Sequence, residues 1–366
     1  MPSSILSVAT AVPLHKLDSG TALAQLSQFW PQLARLEDAE AAVGARYLCE
    51  PLADLLRPRG LSALRRAYLK HARELATTVA AEALQRAGLR GCDIDLVVTV
   101  SCTGYVVPSL DVLLAADLGL RPDVLRLPIT ELGCSGGVAA MGFAHRHLLA
   151  FPGQKVLVIA VELPSLSFHD ADGSLDNLTA CLVFGDGAGA AVFGSASASR
   201  DGLQLMRAAS YLVPGTANLL GFDLLDDGFH VVLDRRLPRV LLRDLGAVVE
   251  SFLSSGQLRG LDFVAAHAAG PRIFDAVETA LRLPPEALDL SREVFATVGN
   301  TSSAAIFFTL QQLMANQGKR SAHGLGLGLG PGVSIELMEL AWVPSEQAGD
   351  EAGAPAEGAT VGGRGV

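Results

Sequence analysis

Leu132–Ala140 reads LGCSGGVAA and places a cysteine, Cys134, in a run of small residues. The apolar stretch over 125–129 that precedes it is typical of a strand, and the pattern over 141–149 predicts that the run continues as a helix. A thiol at the positive end of that helix is favoured as a thiolate, and small neighbours let a substrate carbonyl approach the sulfur. The alternative is a buried structural cysteine at a tight contact between helix and sheet.

The composition of the 366-residue chain is that of a globular protein with a large core. Half of the residues are apolar, yet no apolar run reaches the roughly 18 residues that cross a bilayer. The net charge of −10 argues against nucleic acid or an anionic membrane as a partner. The five cysteines are widely spaced, so we expect no disulfide framework, no metal site and a cytoplasmic protein.

The order of the predicted elements is typical of an α/β protein. The first half carries predicted strands at 4–10, 95–101 and 155–161, a predicted helix at 20–36, another that ends near residue 87, and a Gly/Ala-rich turn that enters a strand at 184–193. The helix that ends near residue 87 begins in a strongly basic run over 57–74. A solvated helix face explains this run, and a rim that contacts phosphates is the alternative.

The second half of the chain repeats the order of the first. Asp262 lies 38 residues before Asn300, as Asp95 lies 39 residues before Cys134. Residues 293–298 lead into Asn300 in the way that residues 125–133 lead into Cys134. This repetition predicts an internal duplication that brings both side chains to helix starts facing one crevice.

The duplication predicts three parts. An N-terminal half over 1–195 carries the cysteine, and a C-terminal half over 196–343 follows a weak break in composition at 194–202. Residues 344–366 contain almost no apolar bulk and are predicted to be a disordered tail.

Two further stretches present polar side chains that could work with the cysteine. VAAHAAGPR over 264–272 presents His267 after a buried strand, and GNTSS over 299–303 presents Asn300. Taken singly, His267 could equally be a structural histidine, and Asn300 could equally be a helix cap. Taken together with Cys134, they supply one nucleophile and two hydrogen-bond donors for an enolate oxygen.

These residues resemble the type III polyketide synthases, the chalcone-synthase-like branch of the thiolase superfamily. SCTG at 101–104, FGDG at 184–187 and GLGPG at 328–332 belong to the same resemblance, which runs from about Ser3 to Leu340. It implies an α/β fold with αβαβα layers built from two duplicated halves. The implied reaction is decarboxylative Claisen condensation of malonyl units onto an acyl starter, then closure to a pyrone or phenolic ring.

The resemblance also implies roles for single residues. Cys134 would be the acylated nucleophile, and His267 and Asn300 would promote decarboxylation. Phe168 and Phe229 fall where the family has two gatekeepers, with core aromatics as the alternative.

Three further positions follow from the same resemblance. Cys102 and Thr103 fall where the family lines its cyclisation pocket, and Val107 falls where a residue crosses a homodimer interface. The substrates would be acyl-CoA and malonyl-CoA, or carrier-protein thioesters, with no bound cofactor.

The sequence departs from the family in two places. The loop HAAG over 267–270 lacks the Pro and paired Gly of plant members. The stretch over 35–47, where the family binds CoA phosphates, is acidic apart from Arg35 and Arg46. The basic run, or Gly270 with Arg272, would then contact CoA, unless an acyl carrier protein delivers the chain.

Two rival functions stay open at this point. One is a ketosynthase that joins carrier-bound (β-keto)acyl chains into an α-pyrone, or a priming step like that of ketoacyl synthase III. Chain-joining relatives often place a Glu base on the loop that enters the cavity, and Ser101–Asp111 contains no Glu. The other rival is an inactive scaffold subunit, against which the presence of all three polar residues argues.

Overall fold

The computed structural model describes residues 2–31, 33, 43–196, 202–253, 257–316 and 321–344. The strands are β1 Ser3–Ala11, β2 His15–Asp18, β3 Ala45–Leu48, β4 Leu96–Val100, β5 Leu125–Ile129, β6 Val156–Glu162, β7 Gly187–Ser195, β8 Gly202–Leu212, β9 Leu220–Leu225, β10 Gly228–Leu233, β11 Phe263–Ala266, β12 Ala322–Gly330 and β13 Ser334–Val343. The helices are α1 Ser19–Phe29, α2 Leu52–Leu55, α3 Leu61–Ala87, α4 Leu110–Leu114, α5 Gly136–Ala150, α6 Leu175–Val183, α7 Leu237–Phe252, α8 Pro271–Leu281, α9 Asp289–Val298 and α10 Ala305–Asn316.

Nine strands form one mixed sheet in the order β11-β12-β13-β8-β1-β7-β6-β4-β5. In the first half, β1 and β6 run antiparallel to β7, and β4 runs parallel to β6. In the second half, β8 and β12 run antiparallel to β13, and β11 runs parallel to β12. The strands β8, β13, β12 and β11 therefore repeat the order and direction of β1, β7, β6 and β4, which confirms the predicted duplication.

The helices complete five layers around this sheet. One apolar cluster packs α3 on the outer face of the first half, where Val79 and Ile159 are fully buried. A second lies between the halves and contains Met141 of α5 and Phe307 of α10. A third packs α7 and α8 on the outer face of the second half. The predicted αβαβα layering is confirmed, with α5 and α10 forming the central layer.

The lead-ins to Cys134 and Asn300 differ in secondary structure. Strand β5 precedes Cys134, whereas the helix α9 ends immediately before Gly299 and Asn300. The expectation that the two lead-ins correspond is wrong at this level. The amphipathic pattern of α9 buries Val294 and Phe295 and gives a helix, and Gly299 ends it with a φ of +73°.

Several predictions reach beyond the described residues. Helix α1 ends at Phe29, short of the predicted residue 36, and residues 34–42 lie outside the described part. All but Pro344 of the predicted tail lies outside it as well. The division at 195/196 stays a prediction. Within the ranges that the structure describes, no helix has the length and apolarity needed to cross a membrane.

We predict that Gly330→Ala destabilises the protein and disturbs the turn that holds Cys134. An added Cβ would overlap the Ser135 hydroxyl and lie 2.7 Å from the carbonyl oxygen of Leu132. We expect the free energy of unfolding to fall by about 1–3 kcal/mol, the usual cost of overpacking. Denaturant unfolding measures this, with Gly153→Ala as the control because its added Cβ meets nothing within 4 Å. Equal stability of the two variants would contradict the prediction.

Candidate active site

Cys134 lies in a short 3-10 turn, Gly133–Ser135, between β5 and α5. Gly133 has a φ of +53°, and an added Cβ there would lie 2.5 Å from the ring of Pro331. The absence of a side chain at Gly133 therefore lets the GLGPG segment pack against the cysteine turn. Cys134 is partly exposed as a residue, and its Sγ lies within hydrogen-bonding reach of the Ser302 side chain.

The surroundings of Cys134 favour the thiol over the thiolate. Burial raises the pKa of Cys134 to about 11, and the hydrogen bond from Ser302 opposes this rise. The positive end of α5 also opposes the rise in pKa, because Cys134 lies one residue before Ser135, the N-cap of that helix. The net direction runs against the prediction of a stabilised thiolate in the free protein.

His267 follows β11 and is 3% exposed. Its Nδ1 accepts a hydrogen bond from the backbone N–H of Leu329 at 3.3 Å, so in the neutral ring the proton lies on Nε2. Burial lowers the pKa of His267 to about 4, which keeps the ring neutral at pH 7. The site thus holds a neutral imidazole whose Nε2–H is available as a donor.

Asn300 is held at both ends of its amide and is 5% exposed. Its Oδ1 accepts from the backbone N–H of Ser302 at 2.8 Å, and its Nδ2 donates to the carbonyl oxygen of Ala269 at 3.4 Å. This orientation leaves the second amide hydrogen for a further acceptor. Ala269 lies two residues after His267, so the structure brings the amide to the histidine loop.

A chain of contacts joins the three predicted residues. Cys134 contacts Ser302, whose backbone N–H is bonded to Asn300, and Asn300 is bonded to the loop that begins at His267. His267 is bonded in turn to β12, which packs against the turn of Cys134. These contacts link the elements that the sequence analysis expected to meet: the starts of the two central helices and the end of β11.

Sequence reasoning missed Glu162 as a site residue. It ends β6, is fully buried, and accepts hydrogen bonds from Thr103 Oγ1 at 2.8 Å, from the backbone N–H of Cys102 at 3.1 Å and from Ser303 Oγ. Burial raises the pKa of Glu162 to about 7, and the bonds from Ser303 and Thr103 oppose the rise. The signal in the sequence is a lone acid that closes an otherwise apolar strand.

The two predicted pocket residues differ in what they contact. Thr103 is buried and fully engaged, because its hydroxyl donates to Glu162 and accepts from the backbone N–H of Leu163. Cys102 instead lies beside Ser302, with its Sγ 3.5 Å from the Ser302 hydroxyl. Burial raises the pKa of Cys102 well above its usual value.

The two predicted gatekeepers lie on segments that meet. Phe168 is 4% exposed and borders a cavity of 270 Å³, and Phe229 packs edge-on against Phe222. His169 bridges them, because its Nε2 is 3.0 Å from the carbonyl oxygen of Phe229. Their roles at an entrance stay a prediction.

The basic residues considered for CoA binding differ in burial. Arg46 is 1% exposed and donates to the carbonyl oxygen of Leu182, so it supports the fold and does not offer its charge to a substrate. Gly270 has a φ of +135° and flanks the start of α8, where Arg272 is exposed. In the basic run, Arg57 is exposed and pairs with Asp54, and the less exposed Arg59 pairs with Glu50.

Two family models match most of the chain. The N-terminal domain of chalcone and stilbene synthases matches residues 59–197, and the C-terminal domain matches residues 204–344. The chain belongs to the chalcone and stilbene synthase family. It is a type III polyketide synthase, an acyltransferase by reaction class, as the resemblance implied.

Individual relatives agree with this family. The 1,3,6,8-tetrahydroxynaphthalene synthase of Streptomyces peucetius subsp. caesius is 35% identical over 352 residues, which cover 93% of each chain. The phloroglucinol synthase of Pseudomonas fluorescens is 29% identical over 313 residues, which cover 85% of this chain and 89% of that one. The crystal structure of tetrahydroxynaphthalene synthase from Streptomyces coelicolor has a TM-score of 0.88 and 32% identity, and covers 93% of this chain and 99% of that one. The family acts on CoA thioesters without a bound cofactor, which agrees with the expected substrates.

We predict that Ser302→Ala slows alkylation of Cys134. The hydroxyl bonds the sulfur, and a hydrogen bond to a charged group contributes about 1.5–3 kcal/mol, so its loss disfavours the thiolate and raises the pKa of Cys134 by about one or more. At a pH below that pKa, iodoacetamide labelling of the Cys134 peptide, followed by mass spectrometry, falls about tenfold. Ser303→Ala is the matched control because Ser303 bonds Glu162. An unchanged pH profile in Ser302→Ala would contradict the assignment.

Proposed function

We propose that the chain holds an acyl group on Cys134 and extends it with malonyl units, using His267 and Asn300 as the donors that stabilise the enolate. The single observation that carries this proposal is the convergence of a cysteine, a neutral imidazole and an oriented amide around Ser302 and the end of β12. In the first step the Cys134 thiol exchanges with a thioester, and the released thiol takes up the proton.

His267 suits a donor role in decarboxylation. Its ring is neutral because burial lowers its pKa to about 4, and the bond from Leu329 leaves Nε2–H as the donor. A neutral donor stabilises a developing oxyanion without first forming an ion pair with the malonyl carboxylate. Asn300 supplies the second donor through Nδ2, since Ser302 holds its Oδ1.

The carbon–carbon bond follows from these contacts. Loss of CO2 from the malonyl thioester leaves its electron pair as an enolate, whose oxygen His267 and Asn300 stabilise. The enolate carbon attacks the thioester carbonyl on Cys134, and the sulfur leaves as the thiolate. The lengthened chain returns to Cys134 for the next extension, and the finished poly-β-keto chain closes to a ring.

The tetrahydroxynaphthalene synthase of Streptomyces peucetius, named for an aromatic polyol, is 35% identical over 352 residues. A relative named for α-pyrone synthesis is 29% identical over 279 residues. We therefore propose malonyl-CoA as the extender and closure to a phenolic ring. A pyrone is the alternative product, and a carrier-protein thioester is the alternative donor.

The chain-joining alternative requires a free carboxylate base. Glu162 accepts hydrogen bonds from Cys102, and five groups donate to its two oxygens: the backbone N–H and the thiol of Cys102 and the hydroxyls of Thr103, Ser303 and Ser101. A carboxylate so occupied serves as a hydrogen-bond acceptor that positions the Cys102–Thr103 loop. This argues for the polyketide synthase over the chain-joining enzyme.

The entrance and the assembly belong to the same proposal. Phe168 and Phe229 would guard the entrance, and Gly270 with Arg272 would contact the phosphates of CoA. We also propose a homodimer, because Tyr105 and Val107 expose apolar side chains beside the Cys102–Thr103 loop, at 67% and 70% exposure.

We predict that substitution of the nucleophile and substitution of a donor affect different steps of the reaction. Cys134→Ala abolishes extended products but retains decarboxylation of malonyl-CoA, because decarboxylation needs the donors and not the sulfur. Asn300→Ala lowers both activities by about 10²–10³-fold, the usual cost of one oxyanion donor. Release of CO2 and product mass spectra measure the two steps.

The matched control for Asn300 is Asn316→Ala, an exposed amide at the far end of α10 that should leave both activities unchanged. Substrates are malonyl-CoA alone, acyl-CoA with malonyl-CoA, and carrier-bound acyl chains. Extended product from Cys134→Ala would refute the proposal. Product only from two carrier-bound chains would establish the chain-joining alternative instead.

We predict that Arg272→Ala raises KM for malonyl-CoA by about fivefold with kcat unchanged. A contact to a phosphate far from the reacting carbon binds ground state and transition state alike, and about 1 kcal/mol corresponds to this factor. Arg57→Ala tests the basic run in the same assay, and Arg239→Ala, an exposed arginine of α7, is the control. An unchanged KM in Arg272→Ala would remove that residue from the CoA site.

A further inference from the structure

The geometry points to a binding site for a zinc-class transition-metal dication formed by His169, Asp227 and His230, with Asp172 beside them. One ligand atom from each of the first three lies within 4.8 Å of the others. Asp227 contacts both rings, at 2.9 Å from Nε2 of His230 and 3.7 Å from Nδ1 of His169. Two imidazoles and a carboxylate form a donor set that suits Zn²⁺, Ni²⁺ or Cu²⁺ rather than Mg²⁺ or Ca²⁺.

The orientation of His169 supports a ligand role. Its Nε2 lies 3.0 Å from the carbonyl oxygen of Phe229, and a carbonyl can only accept, so Nε2 carries the proton. The lone pair of the neutral ring is therefore on Nδ1, the atom that faces Asp227. A backbone carbonyl that fixes the tautomer in this way is the usual outer partner of a metal-binding histidine.

His230 is held by carboxylates on both of its nitrogens. Its Nε2 faces Asp227, and its Nδ1 lies 3.7 Å from Asp172. When Nε2 binds a cation, Nδ1 carries the proton and Asp172 becomes its acceptor, which is the carboxylate–histidine–metal arrangement. The two carboxylates also supply the negative charge that a dication requires.

Binding requires a small movement of the rings. His169 and His230 are stacked, with ring centroids 3.9 Å apart and planes within 8°. A cation lies in the plane of each ligating ring, so the rings must open from this stack until their ligand nitrogens are roughly 3.3 Å apart, as tetrahedral zinc requires. Both side chains are partly exposed, and Asp227 is 59% exposed, which leaves room for the movement.

The four residues join two segments that are distant in sequence. His169 and Asp172 follow Phe168 in the loop before α6, and Asp227 and His230 lie at the turn of the β9–β10 hairpin. Each segment contributes one histidine and one aspartate three residues apart, so neither forms a metal motif alone. The expectation of no metal site rested on the cysteines, and a bound cation here would tie together the segments that carry Phe168 and Phe229.

The test is metal binding to the full chain in the Cys134→Ala background, under reducing conditions and after treatment with EDTA. This background removes the proposed nucleophile, so the result does not depend on catalysis. Calorimetry with Zn²⁺, and absorption spectra with Co²⁺ as a probe of coordination, should both show one equivalent bound through nitrogen and oxygen ligands.

Variants assign the site. Asp227→Asn and His230→Ala should each weaken Zn²⁺ binding at least tenfold while their melting temperatures in EDTA stay unchanged. The matched control is His323→Ala, which removes a histidine paired with a single carboxylate, Glu339, at 3.0 Å. Equal affinity in all variants, or a thiolate charge-transfer band in the Co²⁺ spectrum that persists in them, would assign the metal to the cysteines and overturn the inference. Absence of binding at millimolar Zn²⁺ would overturn it as well.

Discussion

The close contact between the starts of the two central helices is the constraint on which the site depends. An added Cβ at Gly137 of α5 would overlap the carbonyl oxygen of Ser303, and it would lie 2.9 Å from Ile306 of α10. Only glycine permits this approach. Because the helices meet here, Ser302 can bond the sulfur of Cys134 with its side chain and Asn300 with its backbone.

The same packing sets the charge states of the site. Burial holds His267 neutral, raises the pKa of Cys134 to about 11 and raises that of Glu162 to about 7. For the proposed reaction, burial would strengthen hydrogen bonds to a developing oxyanion. The same burial favours the thiol form of Cys134, so Ser302 and the positive end of α5 would have to act against desolvation when the sulfur reacts.

The fold could be predicted from sequence because corresponding residues of the two halves have similar spacing along the chain. Similar distances from Asp95 to Cys134 and from Asp262 to Asn300 indicated two equivalent halves, and the strand orders of the sheet bear this out. Where the halves diverge, spacing led to a wrong prediction. The segments β5 and α9 occupy corresponding places in the chain, but one is a strand and the other is a helix. Amphipathicity, not position in the repeat, decides the conformation of such a segment.

The site was predictable only in part, because several of its properties arise from tertiary contacts. Glu162 receives its donors from Cys102, Thr103 and Ser303, which are remote in sequence, so only a lone acid at a strand end marked it. Arg46 shows the same limit, since nothing in the sequence indicated that this basic residue is buried and bonded to a backbone carbonyl. Sequence identifies the chemical groups, and burial decides what they do.

The interior and the entrance of this protein are constrained to different degrees. Cys134, His267 and Asn300 are attached to the nine-stranded sheet and its central helices, where Gly137 and Gly330 lie in close contact with neighbouring segments. Phe229 instead lies in the separate two-stranded sheet of β9 and β10, which contacts the loop of Phe168 through polar side chains, including the bond from His169 and the stacked ring of His230. Under the proposed function, substitutions in the hairpin are expected to change what enters without moving Cys134, His267 or Asn300. Substrate choice would then vary at the hairpin, while the packing of the two halves would fix the bond-forming step.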